Sequence, residues 1–287
     1  MLFILYRTID ILKSLNSTLC HFVFNWKFVL YNSIKMRGLK ERFHYMPKNV
    51  VPIMDIDFVN TTKHDLLHND LFPRLANGEK SFVVTANPEI VMKTREDAEY
   101  KAIVQAADFV VPDGIGIIKA SHWIKDPLKE RIPGFELMLD LLAHANEQGL
   151  SCYFLGAKEE VNEKAVKEVE KRYPNLKIAG RYHGYFDIDD RSIFENIRKT
   201  NPDLVLVALG MPRQEKWIAH YMKEFDKGLF MGVGGSFDTL TGTVKRAPEA
   251  WIKLNLEWLY RFIKQPIRFK RILKIFEFAI RMRFKRH

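Results

Sequence analysis

From about residue 50 onward, short apolar runs alternate with longer stretches of helical periodicity, and this alternation limits the fold more than any other feature of the chain. Residues 81–85 (Ser-Phe-Val-Val-Thr) form an apolar run that enters a turn at Ala86-Asn-Pro88. The pattern then predicts a helix over 89–107, a strand over 108–112 and a helix over 135–148, which Gly149 terminates. A strand over 151–155 and a charged helix reaching Tyr173 follow, with further strands at 176–179, 204–209 and 229–233. Apolar runs this short, separated by helices of about 10–15 residues, predict an α/β fold with a parallel sheet covered by helices on both faces.

In such sheets ligands bind outside the carboxyl ends of the strands. The polar and glycine-rich clusters fall at those ends: Thr85-Ala-Asn87, Asp113-Gly-Ile-Gly116, Gly156, Gly210-Met-Pro-Arg-Gln-Glu215 and Gly232-Val-Gly-Gly-Ser-Phe-Asp238. Five loops along one edge predict a single site. No internal repeat or low-complexity tract interrupts the pattern.

Charge divides the chain. Residues 245–287 carry 13 Lys and Arg against three Glu, which equals the net charge of +10 of all 287 residues. Beyond Pro266, Phe269, Ile272, Leu273, Phe276 and Ile280 recur at helical spacing among Arg268, Arg271, Lys274 and Arg281. A basic amphipathic helix of this kind seeks anionic lipid, phosphate or nucleic acid. Residues 46–244, with 25 basic and 30 acidic side chains, lack the broad basic surface of a nucleic-acid-binding protein.

The remaining bulk features narrow the class further. No apolar run reaches the roughly 18 residues needed to span a bilayer. Cys20 and Cys152 have neither metal nor redox spacing, which points to a reducing compartment. Residues 1–45 are apolar and basic, interrupted by Arg7, Asp10, Asn25 and Lys27, with no signal-peptide cleavage pattern. They read either as a membrane-surface segment or as an extension ahead of a start at Met36 or Met46. Three regions result: 1–45, a core over 46–245 and a basic helical appendage over 246–287.

Asp113 is the candidate for chemistry. It follows a strand directly and precedes two glycines that let a substrate approach the backbone, so its carboxylate can act as a general base. On the Asp-Gly pair alone, a turn or helix cap is the simpler reading. Gly232-Val-Gly-Gly-Ser236 suits an anion cradle but matches neither the dinucleotide fingerprint nor the P-loop. Asp55-Ile-Asp57 and Asp187-Ile-Asp189 have the Asp-x-Asp form that holds metal in many transferases, but an exposed edge and a loop explain them equally well. A zinc site is not expected from the nine histidines, and there is no Gly-x-Ser-x-Gly elbow. Without a metal, an anionic leaving group needs arginines, and Arg131, Arg213, Arg246, Arg261, Arg268 and Arg271 are available near the loops.

An ordered series of motifs carries a resemblance. It runs through Thr85-Ala-Asn-Pro-Glu89, Val111-Pro-Asp-Gly-Ile-Gly116, Arg131-Ile-Pro-Gly134, Tyr173-Pro174 and Gly184-Tyr-Phe186. It continues with Pro202-Asp-Leu-Val-Leu-Val-Ala-Leu-Gly-Met-Pro-Arg-Gln-Glu-Lys-Trp217, Gly232 to Asp238, Arg246-Ala-Pro248, and Leu256-Glu-Trp-Leu-Tyr-Arg261 with Gln265-Pro-Ile-Arg268 and Arg271. Together these resemble the WecG/TagA/CpsF glycosyltransferases over residues 50–274. The resemblance implies a Rossmann-like, inverting transferase that needs no metal cofactor. It moves a sugar from a UDP-sugar to a polyprenyl-diphosphate-linked sugar at the cytoplasmic face of the cell membrane.

On that resemblance Asp113 is the base, beside a pocket formed by Thr85 and Asn87, while Arg131 and Gln214 meet the diphosphate and the sugars. Gly114, Gly234, Gly235 and Asp238 fall in the matching loops and count with them as substrate-binding. Arg261, Arg268 and Arg271 belong to an appendage that closes over the site and touches the membrane surface. The TagA-like branch implies N-acetylmannosamine transfer to lipid-linked N-acetylglucosamine, in teichoic acid or exopolysaccharide synthesis. N-acetylmannosaminuronic acid, glucose and galactose stay open as the transferred sugar, as does a homo-oligomer. A UDP-sugar-binding protein without catalysis is the competing reading, which the carboxylate of Asp113 opposes.

Overall fold

The structure is a computed structural model that describes residues 49–244, 247–248, 250–251, 259–260, 263 and 269–284. An antiparallel hairpin comes first, β1 (Val50–Ile53) and β2 (Ile56–Val59). Its tight turn takes Met54 and Asp55 through positive φ of 49° and 62°. Helical turns α1 (Lys63–Asp65) and α2 (Phe72–Ala76) follow, joined by a π-helical stretch over Leu66–Leu71.

The main sheet has six strands: β3 (Ser81–Ala86), β4 (Phe109–Pro112), β5 (Ser151–Gly156), β6 (Lys177–Tyr182), β7 (Leu204–Ala208) and β8 (Leu229–Gly232). Their spatial order is β4-β3-β8-β7-β5-β6, and every neighbouring pair is parallel. The expected class is therefore observed. One expected helix differs: residues 89–107 break into α3 (Pro88–Glu96) and α4 (Ala98–Gln105). Asp97 causes the break, because it sits in extended conformation and its carboxylate accepts the Tyr100 backbone N–H at 2.9 Å. Such a cap favours a new helix start over continuation.

Strand alternation sends residues to two apolar layers. Val83, Phe109, Val111, Phe154, Leu206 and Met231 pack on one side with Leu137 and Leu141 of α6 (Gly134–Glu147) and Val161 and Ala165 of α7 (Glu159–Arg172). On the other side lie α3, α4, α8 (Arg191–Thr200) and α9 (Arg213–Tyr221). There Phe194 stacks on Tyr221 at 4.7 Å between centroids, and Phe225 meets Phe230 of β8 edge-on at 4.9 Å. Trp217, Tyr221 and Phe230 are essentially buried.

The last described element, α11 (Phe269–Arg283), packs against α3 and against α5 (Ile115–Trp123). The sequence pattern grouped Leu273, Phe276 and Ile280 as one apolar face. The side turned to the core is a second one, that of Phe278 and Met282, both buried, while Leu273, Phe276, Ile280 and Phe284 are exposed. This helix is apolar on two sides, and periodicity alone does not say which side docks. Among the described residues no helix is long and apolar enough to cross a membrane.

The carboxyl edge is built tightly. Gly156 ends β5 with φ +117°, and a Cβ there would lie 2.4 Å from the Ala208 carbonyl carbon and oxygen on β7. Gly156→Ala should lower unfolding free energy by about 2–5 kcal/mol through strain and overlap, measured by urea denaturation. A loss under about 1 kcal/mol would show that the β5–β7 edge yields more easily than this geometry implies.

Candidate active site

The site begins where two neighbouring strands stop together. Ala86 and Pro112 are the last register pair of β3 and β4. The Asp113 N–H then donates to the Ala86 carbonyl at 2.9 Å, extending the ladder by one residue. Asn87 and Asp113 consequently leave the sheet side by side, and both are half-buried. The Ile132 N–H donates to the Pro112 carbonyl at 2.9 Å, which ties the Arg131 segment to the same strand end.

Glycines press these pieces together. Gly114, at φ +139°, caps α5 without any side-chain hydrogen bond, and a Cβ on it would lie 3.6 Å from the Asn87 Cβ. A Cβ on Gly134, the first residue of α6, would lie 2.8 Å from the Thr85 hydroxyl. Thr85, Asn87, Asp113, Gly114 and the Arg131 segment thus form one cluster. Two helix N-termini, those of α5 and α6, open onto it. Asn87 has a local task too: its Oδ1 accepts the N–H groups of Glu89 (2.9 Å) and Ile90 (3.1 Å), capping α3. The amide NH2 is the part of Asn87 left for a ligand.

The glycine-rich loop after β8 completes the edge. Gly234 adopts φ +51°, and Gly235 precedes α10 (Ser236–Leu240), whose first turn carries the half-buried Asp238. Two of the loop's amides are committed within the protein: Ser236 N–H donates to the Val233 carbonyl at 3.1 Å, and Gly234 N–H to Gln214 Oε1 at 3.1 Å. Gln214 is only 5% exposed and lies against β8, since a Cβ on Gly232 would be 2.6 Å from its Nε2. That Nε2 donates to Glu215 Oε1 at 2.7 Å. Gln214 therefore sits behind the loop, with both ends of its carboxamide engaged. Burial pushes the Glu215 carboxyl above the usual carboxylate range, although the Gln214 hydrogen bond opposes the shift.

Arg213 is likewise occupied. Its guanidinium donates to the carbonyls of Gly184 (3.2 Å) and Phe186 (2.8 Å), fixing the loop after β6. Tyr185 at the tip of that loop is 70% exposed and borders a concavity of about 360 Å³ with Lys158, Glu159, Glu160 and His183. In the sequence Tyr185 stands out only as the aromatic residue of the Gly184-Tyr-Phe186 motif, whose flanking carbonyls Arg213 holds.

The other candidates separate. Asp55 meets Lys101 at 2.7 Å in the hairpin turn, and Asp187 Oδ1 accepts the Asp189 N–H at 3.1 Å. Neither Asp-x-Asp lies among the loops gathered around Asp113, and among the described residues no group of three His, Cys, Asp or Glu side chains suits a metal ion. Arg246, Arg261 and Arg268 lie outside the described residues, and Arg271 falls in the first turn of α11. α11 docks on α3 and α5, the two helices that start at Asn87 and Gly114, and Lys274 pairs with Glu96 at the end of α3.

The sequence is similar to that of known proteins. The family model described as "Glycosyl transferase WecG/TagA/CpsF family" matches residues 51–287. An N-acetylglucosaminyldiphosphoundecaprenol N-acetyl-beta-D-mannosaminyltransferase of Staphylococcus aureus strain MRSA252 is 42% identical over 214 residues, covering 74% of this chain and 83% of that protein. The protein of the same name from strain MW2 is 40% identical over 228 residues, covering 78% of this chain and 89% of its own length.

The cap at Asn87 yields a test of local structure. Asn87→Ala should cost about 1 kcal/mol in chemical denaturation, and Asn87→Ser should recover most of that, because serine also caps α3. Equal losses in the two variants would refute the cap as the main structural role of Asn87.

Proposed function

This chain belongs to the WecG/TagA/CpsF family of glycosyltransferases, and we propose that it transfers N-acetylmannosamine from a UDP-sugar to N-acetylglucosamine carried on undecaprenyl diphosphate. The observation that carries this reading is the meeting of Asp113, Asn87 and the Arg131 segment at the ends of β3 and β4, within a chain 42% identical to enzymes named for that transfer. The reaction supplies a linkage in a cell-surface polymer such as teichoic acid.

Asp113 is the general base. It takes the proton of the acceptor hydroxyl while that oxygen attacks the anomeric carbon from the face opposite UDP. The bond from that carbon to the diphosphate oxygen breaks, and UDP leaves with the electron pair. Nucleotide hexoses of this kind carry an α linkage, so the beta product in the relatives' names fits inversion in one displacement.

The leaving diphosphate needs compensating charge. Because the Gly234 and Ser236 amides are committed internally, the glycine loop offers fewer donors than a full backbone cradle. Counter-charge then comes from Arg131, from the N-termini of α5 and α6, and from Arg261, Arg268 and Arg271, with no metal cofactor. Gly235 and Asp238 line the donor side.

The acceptor's lipid requires a membrane surface, and α11 supplies a face for it. Leu273, Phe276, Ile280 and Phe284 form an exposed apolar stripe near Lys274, Arg281 and Arg283. A basic helix with such a stripe lies in an anionic interface. The protein then works as a peripheral enzyme at the cytoplasmic face, with α11 linking the membrane to the helices that begin at the site.

Two measurements test this. Asp113→Asn should lower UDP release in the presence of lipid-diphosphate-N-acetylglucosamine and UDP-N-acetylmannosamine by about a thousandfold while UDP still binds, and unaltered turnover would remove Asp113 as base. The double variant Phe276→Glu, Ile280→Glu should keep its melting temperature, since both side chains are exposed, yet fail to sediment with anionic vesicles. Retained sedimentation would refute the membrane face.

A further inference from the structure

Three polar side chains lie buried in the apolar layer behind the site. Tyr100 on α4 and Glu215 on α9 are 0% and 1% exposed, and Gln214 beside Glu215 is 5% exposed. Their hydrogen bonds end on a loop backbone: Glu215 Oε1 accepts from Gln214 Nε2 at 2.7 Å, and Gln214 Oε1 accepts from Gly234 N–H at 3.1 Å. Tyr100 interacts with the same carboxyl.

We propose that Glu215 and Tyr100 are positioning residues, which act through Gln214 to hold the Gly234–Gly235 loop in the conformation that receives the nucleotide diphosphate of the donor. This rests on the reading above that the loop carries the donor. Each side chain does a distinguishable part of the work. A carboxamide can turn over in its socket, exchanging donor for acceptor at nearly equal shape. Only with Oε1 toward the loop does Gln214 accept from Gly234. Glu215 selects that orientation because its Oε1 requires a donor on the other end. Tyr100, on α4, interacts with the same carboxyl.

The burial of these groups argues for a task beyond packing. Tyr100 Oη and Glu215 Oε2 are both buried without a completed hydrogen bond, and each such group costs about 1–3 kcal/mol. Apolar side chains of the same size would fill this layer at less cost. Burial raises the proton affinity of the Glu215 carboxyl, while its interactions with Gln214 and Tyr100 oppose the rise.

The experiment uses the full chain and three variants, Glu215→Gln, Glu215→Leu and Tyr100→Phe. Three quantities are measured: melting temperature, UDP affinity by calorimetry, and hydrogen exchange of the peptide containing Gly234. Glu215→Gln can turn its carbonyl to Gln214, so it should bind UDP within about threefold of the parent. Glu215→Leu should weaken UDP about tenfold and speed Gly234 exchange by a similar factor. Folded Glu215→Leu with parental UDP affinity and parental exchange would overturn the role of Glu215, as would equal losses in the Gln and Leu variants.

If Glu215→Leu does not fold, Tyr100→Phe decides the matter. Removing one hydroxyl should weaken UDP about threefold, and unchanged affinity would end the proposal for Tyr100. A parent chain that binds no UDP would defeat the donor reading instead. Gly234 exchange in the variants would then still report whether the relay holds the loop.

Discussion

One backbone hydrogen bond organises the site: Asp113 N–H to the carbonyl of Ala86. It continues the β3–β4 ladder past the strand ends, so the two chains diverge only after Asn87 and Asp113 have been brought level. Everything nearby depends on that alignment. The first turns of α3 and α5 start from these two residues, and α5 approaches so closely that a Cβ on Gly116 would lie 2.7 Å from Pro88 Cγ. The Arg131 segment joins through Ile132 to the same strand end. A carboxylate held this way is fixed by the sheet rather than by a flexible loop, as the general base proposed for this site requires.

Around that fixed point, polar side chains serve as braces. Gln214 holds the Gly234 loop and Arg213 holds the Gly184–Phe186 loop. Asn162, fully buried, reaches the carbonyls of Phe154, Gly156 and Tyr182 with its single amide group, tying the ends of β5 and β6. Each satisfies backbone groups that would otherwise be stranded where the strands end. The loops of the carboxyl edge are irregular in path but fastened from behind, so a ligand meets a largely formed surface.

The appendage is coupled to this edge mechanically. Phe278 and Met282 of α11 are buried where the helix packs on α3 and α5, and Lys274 pairs with Glu96. The opposite stripe of Leu273, Phe276, Ile280 and Phe284 remains exposed. One short helix thus grips the helices that begin at the site while leaving an apolar face for a surface of another kind.

Much of this was legible before any coordinates. Apolar runs and helical stretches alternate with the periods of strand and helix, and those periods follow from local backbone geometry. They determined the parallel sheet, the order of strands and loops, and hence the single edge where Thr85, Asn87, Asp113 and Gly234 gather. What the sequence could not determine was the partner of each polar side chain. Gln214 reads as a pocket residue by resemblance and Arg213 as an available cation by type, and their hydrogen bonds to Gly234 and Gly184 reach 20 and nearly 30 residues along the chain. The same limit applied to α11, whose two apolar sides have one period and differ only in what packs against them. Local periodicity specifies an element and its place in the order. Which of its groups are already engaged is decided by long-range packing, and that exists only in the folded chain.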